Sequence, residues 1–490
     1  MKRIFFTSVA LCLAFGLKAQ NIFPYKLDNC ITSVFCLDCG DQKANVKQAE
    51  FTALIDSLNK ANDYSRMKGS IVLQVLVDSA GHGCVLSHTD KSNNAVTQNI
   101  VKCLNAFNGW IPAQTKGKPE RRTSFNLLMS ISGGVLSGKV QRVDMDAFKQ
   151  SFDRPVSPEI YNKGYKYKNE HLKQYEITVW DSKNSNLPNN MDDNISIDKN
   201  GVIWLTIDEG LVKFDGKSFA NAEQDISPKG DYFNYFAIAI DNENTKWVYA
   251  GKNIYSYDGN KWTVYDPKTI GIDGAYKIIN NPATGEVFFC SDEGLTIFKN
   301  GKWSNLNKSK VKELPSNRVT FAKRDSKNKI WIGTFSGSIL IEADGKAISF
   351  NDTQSVLKGK CITSMDEDEN GNVYLGLYEY DRKDPCGINN DEGIAIYSSN
   401  NAVKQLTTSN SGMPFNHVSD VLYDRVEKVL WIATDRAGLV RYDLKDGWEN
   451  YHNDNSAIPT SYISKMTFDN NGVLYLATRQ GLVRVARKSK

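Results

Sequence analysis

The chain has 490 residues, of which 41% are hydrophobic and 24% are charged, a composition typical of a folded protein too long for a single core. Aromatic residues make up 11% of the chain, and flat side chains suit half-buried sheet surfaces, so a mainly β fold is expected. The net charge of +4 falls to +1, with 57 basic against 56 acidic residues, once Lys2, Arg3 and Lys18 leave with a leader. This balance gives no electrostatic reason to expect binding to nucleic acid or to an anionic membrane.

The first twenty residues have the layout of a secretory signal peptide. A basic start precedes an apolar run from Ile4 to Leu17, which is too short to span a bilayer, and a polar exit follows at Ala19 and Gln20. No later stretch reaches about 18 apolar residues. We therefore expect residues 1–20 to be cleaved, no membrane span in the mature chain, and a periplasmic or otherwise exported protein of a Gram-negative bacterium.

Eight cysteines remain after cleavage, and an even number in an exported chain predicts disulfides whose pairing the sequence does not fix. Cys84 with Cys103, and Cys361 with Cys386, are plausible local pairs. The N-terminal segment 21–44 contains CLDC at 36–39, a pattern that also suits redox chemistry or zinc. No βαβ pattern surrounds it and no second CxxC or His pair completes a zinc site, so we predict structural disulfides, no metal and no cofactor.

Residues 45–133 predict one small α+β domain. Apolar residues at helical spacing indicate helices over 46–61 and 95–107, with a hairpin between them and a last strand at 124–131. This order of elements, GSIVLQVLVDSAG at 69–81 and WIPAQTKGKP at 110–119 resemble the C-terminal domain of the TonB energy-transducer family. The match is carried by Trp110, Pro112, Ala113, Gly117, Lys118 and Pro119.

The TonB-like resemblance implies a docking function. Such domains add a strand of a partner to an exposed sheet edge through backbone hydrogen bonds, and the implied partner is an outer-membrane transporter. Residues 134–173, which follow, are interpreted as a polar linker with some helix around 144–152.

The remainder of the chain is built from repeats. An aromatic residue opens a strand-like run at spacings of 43, 41, 43, 43, 57 and 44 residues, and the long interval contains an insertion at 378–391. Runs that end in Asp, turns such as Asn470-Asn471-Gly472, and runs such as GLVRYD recur around each aromatic, a pattern that predicts antiparallel hairpins. The aromatic residues are Trp204, Trp247, Phe288, Trp331, Tyr374, Trp431 and Tyr475.

Seven units of four strands predict a seven-bladed β-propeller over 174–490, because a four-stranded sheet cannot bury both faces alone. The last unit supplies three strands, whereas YEITVWDSKNSNLP at 175–188 aligns with WENYHNDNSAIP at 448–459, an outer strand and the loop after it. We therefore predict that the early strand closes the ring as the fourth strand of the last sheet. This closure removes an exposed sheet edge.

The motif set D-x-N-G, W-[IL]-x-[TG] and G-L-x-[RK]-[YF]-D resembles the two-component regulator propeller repeats of extracytoplasmic sensors in Bacteroidetes-type bacteria. The resemblance covers about residues 174–487 and implies a recognition role. The run DEDENG at 366–371 imitates the start of an EF-hand, but its twelfth position is Leu377 instead of Glu, so we predict a turn.

The sequence contains no GxSxG, HExxH or P-loop motif, and its five histidines are scattered. We predict an exported, non-catalytic binding or sensing protein whose propeller recognises an envelope protein or glycan while the TonB-like domain docks. One alternative is a propeller enzyme acting on polysaccharide as a lyase or hydrolase, which needs a converging acid–base pair. The other is an envelope scaffold or adhesion protein, which needs a large apolar patch.

The ligand site of the predicted propeller is expected at the mouth of its channel, where the loops between second and third strands lie. The Tyr-rich insertion at 378–391 is the best candidate, because added loop length on that face often carries function. The candidate residues are Asp208, Glu209, Asp292, Glu293, Tyr378, Tyr380, Arg382, Asp435, Arg436 and Arg479.

Overall fold

The structure is a computed structural model of the chain, and it forms two compact units, Met1–Ser151 and Phe152–Lys490. Within the part that the structure describes, no helix is long and apolar enough to cross a membrane. The expected signal peptide lies outside that part. The described residues are 23, 25–27, 30, 35–65, 67–90, 92–142, 162, 164–188, 192–207, 210–222, 235–250, 253–266, 270–272, 275–353, 355–379 and 391–488.

Within its described residues, the first unit has two helices and one mainly antiparallel sheet of order β1-β5-β4-β9-β10, in which β2 also pairs in parallel with β9. Two smaller pairs, β3 with β6 and β7 with β8, complete it. Its elements are β1 (Tyr25–Lys26), β2 (Cys36–Leu37), β3 (Asn45–Val46), α1 (Gln48–Ala61), β4 (Gly69–Asp78), β5 (Gly83–His88), α2 (Ala95–Asn105), β6 (Trp110–Ile111), β7 (Gln114–Thr115), β8 (Lys118–Pro119), β9 (Arg122–Ser132) and β10 (Val135–Gln141).

The helices and the hairpin form where the apolar spacing predicts them. Helix α1 buries Phe51, Ile55 and Leu58 on one face, and α2 is capped by the preceding Asn94, whose side chain accepts hydrogen bonds from two backbone amides of the first turn. The predicted linker over 134–173 is wrong at its start, because Val135–Gln141 pairs antiparallel with β9. The helix expected around 144–152 lies outside the described residues.

Two disulfides join described residues of the first unit, and their pairing differs from expectation. Cys30 is bonded to Cys84, and Cys36 to Cys39. The Cys84–Cys103 pair is therefore wrong, and Cys103 is a free thiol. Cys361 is also a free thiol, and its expected partner at 386 lies outside the described residues. The Cys30–Cys84 bond joins residues 54 positions apart and ties the N-terminal segment to β5.

The second unit consists, within the described residues, of seven four-stranded antiparallel sheets. It begins with a 3-10 turn (Leu172–Gln174) and β11 (Tyr175–Trp180). Sheet 1 comprises β12 (Asp192–Ile197), β13 (Ile203–Ile207), β14 (Gly210–Phe214) and β15 (Phe219–Asn221). Sheet 2 comprises β16 (Tyr235–Ile240), β17 (Lys246–Ala250), β18 (Asn253–Tyr257) and β19 (Trp262–Tyr265). Sheet 3 comprises β20 (Ala275–Asn281), β21 (Glu286–Ser291), β22 (Gly294–Lys299) and β23 (Lys302–Leu306).

The later sheets continue the pattern in chain order. Sheet 4 comprises β24 (Val319–Arg324), β25 (Ile330–Thr334), β26 (Gly337–Ile341) and β27 (Ala347–Ser349), followed by a 3-10 turn (Phe350–Asp352). Sheet 5 comprises β28 (Lys360–Glu367), β29 (Val373–Glu379), β30 (Asp391–Tyr397) and β31 (Val403–Leu406). Sheet 6 comprises β32 (Val418–Asp424), β33 (Val429–Thr434), β34 (Leu439–Tyr442) and β35 (Trp448–Tyr451). Sheet 7 comprises β36 (Ile463–Phe468), β37 (Leu474–Thr478), β38 (Gly481–Arg487) and β11.

The sheets are arranged as a closed ring. The first strand of each sheet contacts the first strand of the next, and β36 of sheet 7 contacts β12 of sheet 1. The fourth strand of sheet 7 is β11, which pairs antiparallel with β38 from Tyr175 opposite Arg487 to Trp180 opposite Leu482. The predicted closing strand is thereby confirmed, and the unit has a mainly β, propeller-like architecture.

A recurring Asp explains much of the sequence repeat. Its carboxylate accepts two backbone N–H groups of the turn between the first and second strands, as Asp325 does from Lys327 and Lys329 at 3.0 and 2.9 Å. In most sheets it also accepts a hydrogen bond from the core aromatic, as from Trp331 Nε1 at 3.0 Å. One group therefore fixes both the turn and the largest core side chain. Asp198, Asp241, Asp325, Asp368, Asp424 and Asp469 occupy this position.

The Asn-Ser-x-[Leu/Ile/Met]-Pro motif also has one structure wherever it recurs. The Asn side chain accepts the backbone N–H three residues earlier, as Asn184 does from Asp181 at 2.9 Å, and the Ser hydroxyl donates to the same residue's carbonyl. The apolar residue that follows is buried in all three copies. The early copy is therefore a true member of the series. The three motifs are at Asn184–Leu187, Asn410–Met413 and Asn455–Ile458.

The residues just before β11 also belong to the second unit. We call residues 162 and 164–174 the strap. Its Asn169 bonds the backbone of Asn450 twice, donating to the carbonyl and accepting the N–H, both at 2.9 Å. The Tyr165 hydroxyl accepts the Trp448 N–H at 3.2 Å. The predicted linker is therefore also wrong here, because these residues occupy the outer edge of β35.

Candidate functional site

One end of the sheet ring gathers the loops that leave each second strand and enter each first strand. In sheet 4 the Phe335 amide donates to the Arg318 carbonyl at 3.2 Å, and in sheet 6 the Asp435 amide donates to the His417 carbonyl at 3.1 Å. In sheet 7 the Arg479 guanidinium lies 3.8 Å from the centre of the Tyr462 ring. We call this end the rim. Its repeated register brings side chains from distant parts of the chain together.

A buried pair of charged residues of the rim lies between sheets 5 and 6. His417 Nδ1 is 3.1 Å from Asp391 Oδ1, and their side chains are 12% and 1% exposed. Asp435 and Arg436 adjoin them, with Arg436 Nε 3.5 Å from Asp435 Oδ2. We call His417, Asp391, Asp435 and Arg436 the rim cluster. Asp391 is the last residue of the long insertion and the first residue of β30.

The Asp391 carboxylate is buried without well-aligned hydrogen bonds. Neither of its oxygens, nor His417 Nδ1, forms a hydrogen bond with a described residue, although the ion-pair contact is close. A buried carboxylate in this condition is costly, because desolvation is repaid only when its acceptors are satisfied. The carboxylate can therefore accept hydrogen bonds from a ligand that reaches it.

Charge determines the protonation state of the cluster. Burial disfavours the charged imidazolium of His417, but the neighbouring carboxylates of Asp391 and Asp435 outweigh it and raise the pKa of His417 to about 9. His417 is therefore a cation at neutral pH. A protonated imidazole is a poor general base, so the cluster is better suited to binding than to proton abstraction.

The sequence-predicted site residues are spread around the rim. Tyr378 is buried opposite Asp391 in the strand register, and Asp435 and Arg436 belong to the rim cluster. Asp292 pairs instead with Arg318, with Arg318 Nε 2.8 Å from Asp292 Oδ1, and Glu293 is exposed beside it. Arg479 stacks on Tyr462 in sheet 7. Asp208, Glu209, Tyr380 and Arg382 lie outside the described residues.

Sequence reasoning missed His417 and Asp391. The histidines had no metal or catalytic spacing, and Asp391 was the last residue of an insertion. A usable signal was present, because His417 directly precedes a first strand, as Arg318 and Tyr462 do in their sheets. Aligning the repeats at that position identifies the residues that face the rim.

Further polar groups line the inside of the ring just below the rim. Every first strand has a bulge near its start. The third residue of β20, Lys277, donates from sheet 3 to the Thr363 carbonyl of sheet 5, so this bond spans sheet 4 on the inside of the ring. Burial, together with nearby Lys465, lowers the pKa of Lys277 to about 8. Lys465 Nζ is itself 3.7 Å from Asp420 Oδ2, so the inner strands are joined by ionic contacts as well as by packing.

Solved structures share this fold. The chain is similar to BT3049 of B. thetaiotaomicron, described as the extracellular domain of a hybrid two-component system, with a TM-score of 0.52 and 20% identity over 64% of this chain and 42% of that chain. BT4673 of the same organism, described likewise, gives a TM-score of 0.50 and 17% identity over 65% and 40% of the two chains. The chain therefore spans less than half the length of these structures.

At such identities the likeness shows the fold alone, a mainly β architecture of the propeller kind. A streptogramin B lyase structure matches with a TM-score of 0.49 and 12% identity, over 65% of this chain and 100% of its own, and carries no argument about activity. No protein-family profile and no curated protein matches the sequence.

Proposed function

We propose that the chain is an exported, non-catalytic binding or sensing protein whose seven-bladed propeller, of the two-component regulator type, takes its ligand at the rim cluster. The observation that supports this proposal most directly is Asp391, a carboxylate 1% exposed that is ion-paired with His417 but forms no well-aligned hydrogen bond with a described residue. Placement outside the cytoplasm is supported by the two disulfides.

The ligand should offer hydrogen-bond donors. Hydroxyl groups of an envelope glycan, or polar side chains of an envelope protein, satisfy a buried carboxylate and tolerate the neighbouring imidazolium. The insertion that leads into Asp391 contributes Tyr380 and Arg382 as further contacts in this proposal. Glycan and protein are distinguished by the binding assay.

Binding is tested on the mature chain with a panel of envelope oligosaccharides and a set of purified envelope proteins, scored by calorimetry. A D391N variant removes the charge while retaining the shape, and we expect at least about a tenfold loss of affinity, the size of one lost charged hydrogen bond. D344N is the matched control, because Asp344 is an exposed turn residue between the third and fourth strands of sheet 4. Equal binding by both variants would contradict the rim cluster as the site.

The enzyme alternative is tested in the same samples. If wild-type chain releases new reducing ends or unsaturated sugars from a bound polysaccharide, and H417Q does not, the rim cluster is catalytic and the binding-only proposal is wrong. The protonated state of His417 favours the opposite result.

A second proposal concerns the first unit, whose edge strand β10 suits docking by strand addition, as the TonB-like resemblance implies. Asn59 bonds both the N–H and the carbonyl of Leu136, at 2.8 and 2.9 Å, so these groups point away from β9. By the two-residue period of a strand, those of Gly138 and Val140 do so too. Among the described residues these groups of Gly138 and Val140 form no hydrogen bond beyond the sheet, and an added strand would satisfy them.

Docking is tested by placing a photo-crosslinking amino acid at Gln141, on the exposed end of β10, in cells that produce the chain. We expect a crosslink to an outer-membrane transporter. The control position is Lys102, exposed on α2. Crosslinking of the same transporter from both positions, or from neither, would contradict strand addition at β10.

A further inference from the structure

A cluster of metal-binding side chains lies in the first unit. The sulfur atoms of Cys36 and Cys39 and a carboxylate oxygen of Glu120 all lie within 4.8 Å of one another, and all three residues are half-buried. Cys36 and Cys39 are joined by a disulfide in this structure. The sequence alone did not identify Glu120 as a third member of this cluster, because Glu120 is far along the chain from the CxxC motif.

The fold brings these residues together through β9. Strand β2 pairs in parallel with β9, with Cys36 opposite Thr123, and Glu120 stands just before that strand. The turn between the cysteines is held by Asp38, a buried residue with a left-handed φ of 47°. Its amide donates to the Ser124 carbonyl at 2.7 Å, and its carboxylate is 2.9 Å from Arg142 Nη1. The turn is therefore anchored by contacts other than the S–S bond.

The ligand set suits zinc. Thiolates bind Zn²⁺ at about 2.3 Å and carboxylates at about 2.0–2.2 Å, so two tetrahedral sulfur ligands stand roughly 3.8 Å apart, a spacing that this cluster spans. Glu120 is oriented by a hydrogen bond from the Thr115 hydroxyl, as second-layer partners orient metal-bound carboxylates. A carboxylate beside two thiols also disfavours a free thiolate, because the two negative charges repel each other. These three residues are therefore better suited to binding a cation than to supplying a nucleophilic thiolate.

We propose that Cys36, Cys39 and Glu120 bind one Zn²⁺ when the two thiols are reduced and release it when they form their disulfide. In the release step the two thiolates give two electrons to an external disulfide, which becomes two thiolates. The Cys36–Cys39 bond forms as the two Zn–S bonds break. Three protein ligands leave the fourth position for water, so the metal is exchangeable.

The test uses the mature chain, reduced with a phosphine under argon, and Zn²⁺ in competition with a chromophoric chelator. We expect one tight Zn²⁺ per reduced chain and none for the oxidised chain. C36S/C39S should lose this binding, and C30S/C84S, the matched control that breaks the other disulfide, should retain it. E120Q, which preserves both disulfides, should bind at least about tenfold more weakly.

Co²⁺ in place of Zn²⁺ gives an independent readout. Tetrahedral binding by two thiolates predicts intense visible absorption and thiolate-to-metal charge transfer in the wild type and in C30S/C84S, and neither in C36S/C39S. The proposal is overturned if the reduced wild type takes up no zinc, or if C36S/C39S takes up as much, which marks binding elsewhere. Unchanged affinity in E120Q, with its circular dichroism intact, overturns the three-ligand site.

Discussion

Sheets 6 and 7 are neighbours with the same strand pattern, yet their outer edges are built differently. The outer strand of sheet 6, β35, follows its own third strand, and all four of its residues are buried. The outer strand of sheet 7, β11, comes from the other end of the unit, and of its six residues only Tyr175 is buried. The strap that covers β35 continues directly into β11. A single continuous segment therefore covers the outer edge of sheet 6 and supplies the fourth strand of sheet 7, so the closure of the ring is stabilised by contacts with both sheets.

The largest effect should come from removing the strand that completes sheet 7. Deleting residues 174–183 takes away the backbone partners of β38 and exposes an edge where other chains can pair. We expect the melting temperature of the second unit to fall by roughly 10 °C or more, with aggregation. Calorimetry and light scattering measure the two effects. An unchanged melt would show that sheet 7 is stable without β11.

The strap should matter less, because sheet 6 has its four strands without it. N169A removes the two bonds to the Asn450 backbone and should cost about 1–3 kcal/mol, a fall of a few degrees in the melting temperature. K166A is the control, because Lys166 is exposed in the same segment. If both variants melt alike, the bonds of Asn169 contribute nothing and the edge is covered by packing alone.

The recurring Asp at the end of the first strand forms different hydrogen bonds in sheets 6 and 7. Asp424 of sheet 6 is buried and accepts a hydrogen bond from Trp431 Nε1 at 3.4 Å as well as capping its turn. For Asp469 of sheet 7 the described hydrogen bonds are with the turn. D424A should therefore destabilise the unit by about 1 kcal/mol more than D469A. Denaturant unfolding measures the difference, and equal losses would assign the role of this Asp to the turn only.

A further effect is expected from pH. The pKa of His417 is raised to about 9 in the fold, above its usual value of about 6.5 in unfolded chains. Its ion pair with Asp391 thus contributes stability fully below about pH 6.5 and loses it as the pH rises through about 9. The melting temperature of the wild type should decline along that range, and H417Q should flatten the decline. H452Q is the control, since burial lowers the pKa of His452 and its titration falls on the acid side.

Much of the second unit could be predicted because each repeat is specified by residues that are close together in the sequence. The Asp that ends a first strand, the turn and the next aromatic all lie within a few residues, so the sequence displays their spacing directly. The closing strand could be predicted because one complete copy of the Asn-Ser motif stood without strands before it. The strap could not, because its contacts are made by single polar side chains to the backbone of residues far along the chain.

The candidate sites were harder to predict for the same physical reason. The rim cluster joins His417 before β32 to Asp391 at the start of β30, and no periodicity links them. The predicted pairing of Cys84 with Cys103 was wrong because it was based on proximity in sequence, whereas the N-terminal segment brings Cys30 to Cys84 in β5. Glu120 joins the CxxC pair only through the parallel pairing of β2 with β9.

The closure of sheet 7 also sets the timing of folding. Within the second unit β11 is synthesised first and β38 last, so β11 has no pairing partner until nearly all of the unit has been made. Six sheets can form hairpin by hairpin as they emerge, but the ring is sealed in one late, long-range step. A pause in synthesis, or a truncation, just before β38 leaves two open strand edges at once, so the second unit is most exposed to mispairing when its last strand is still missing.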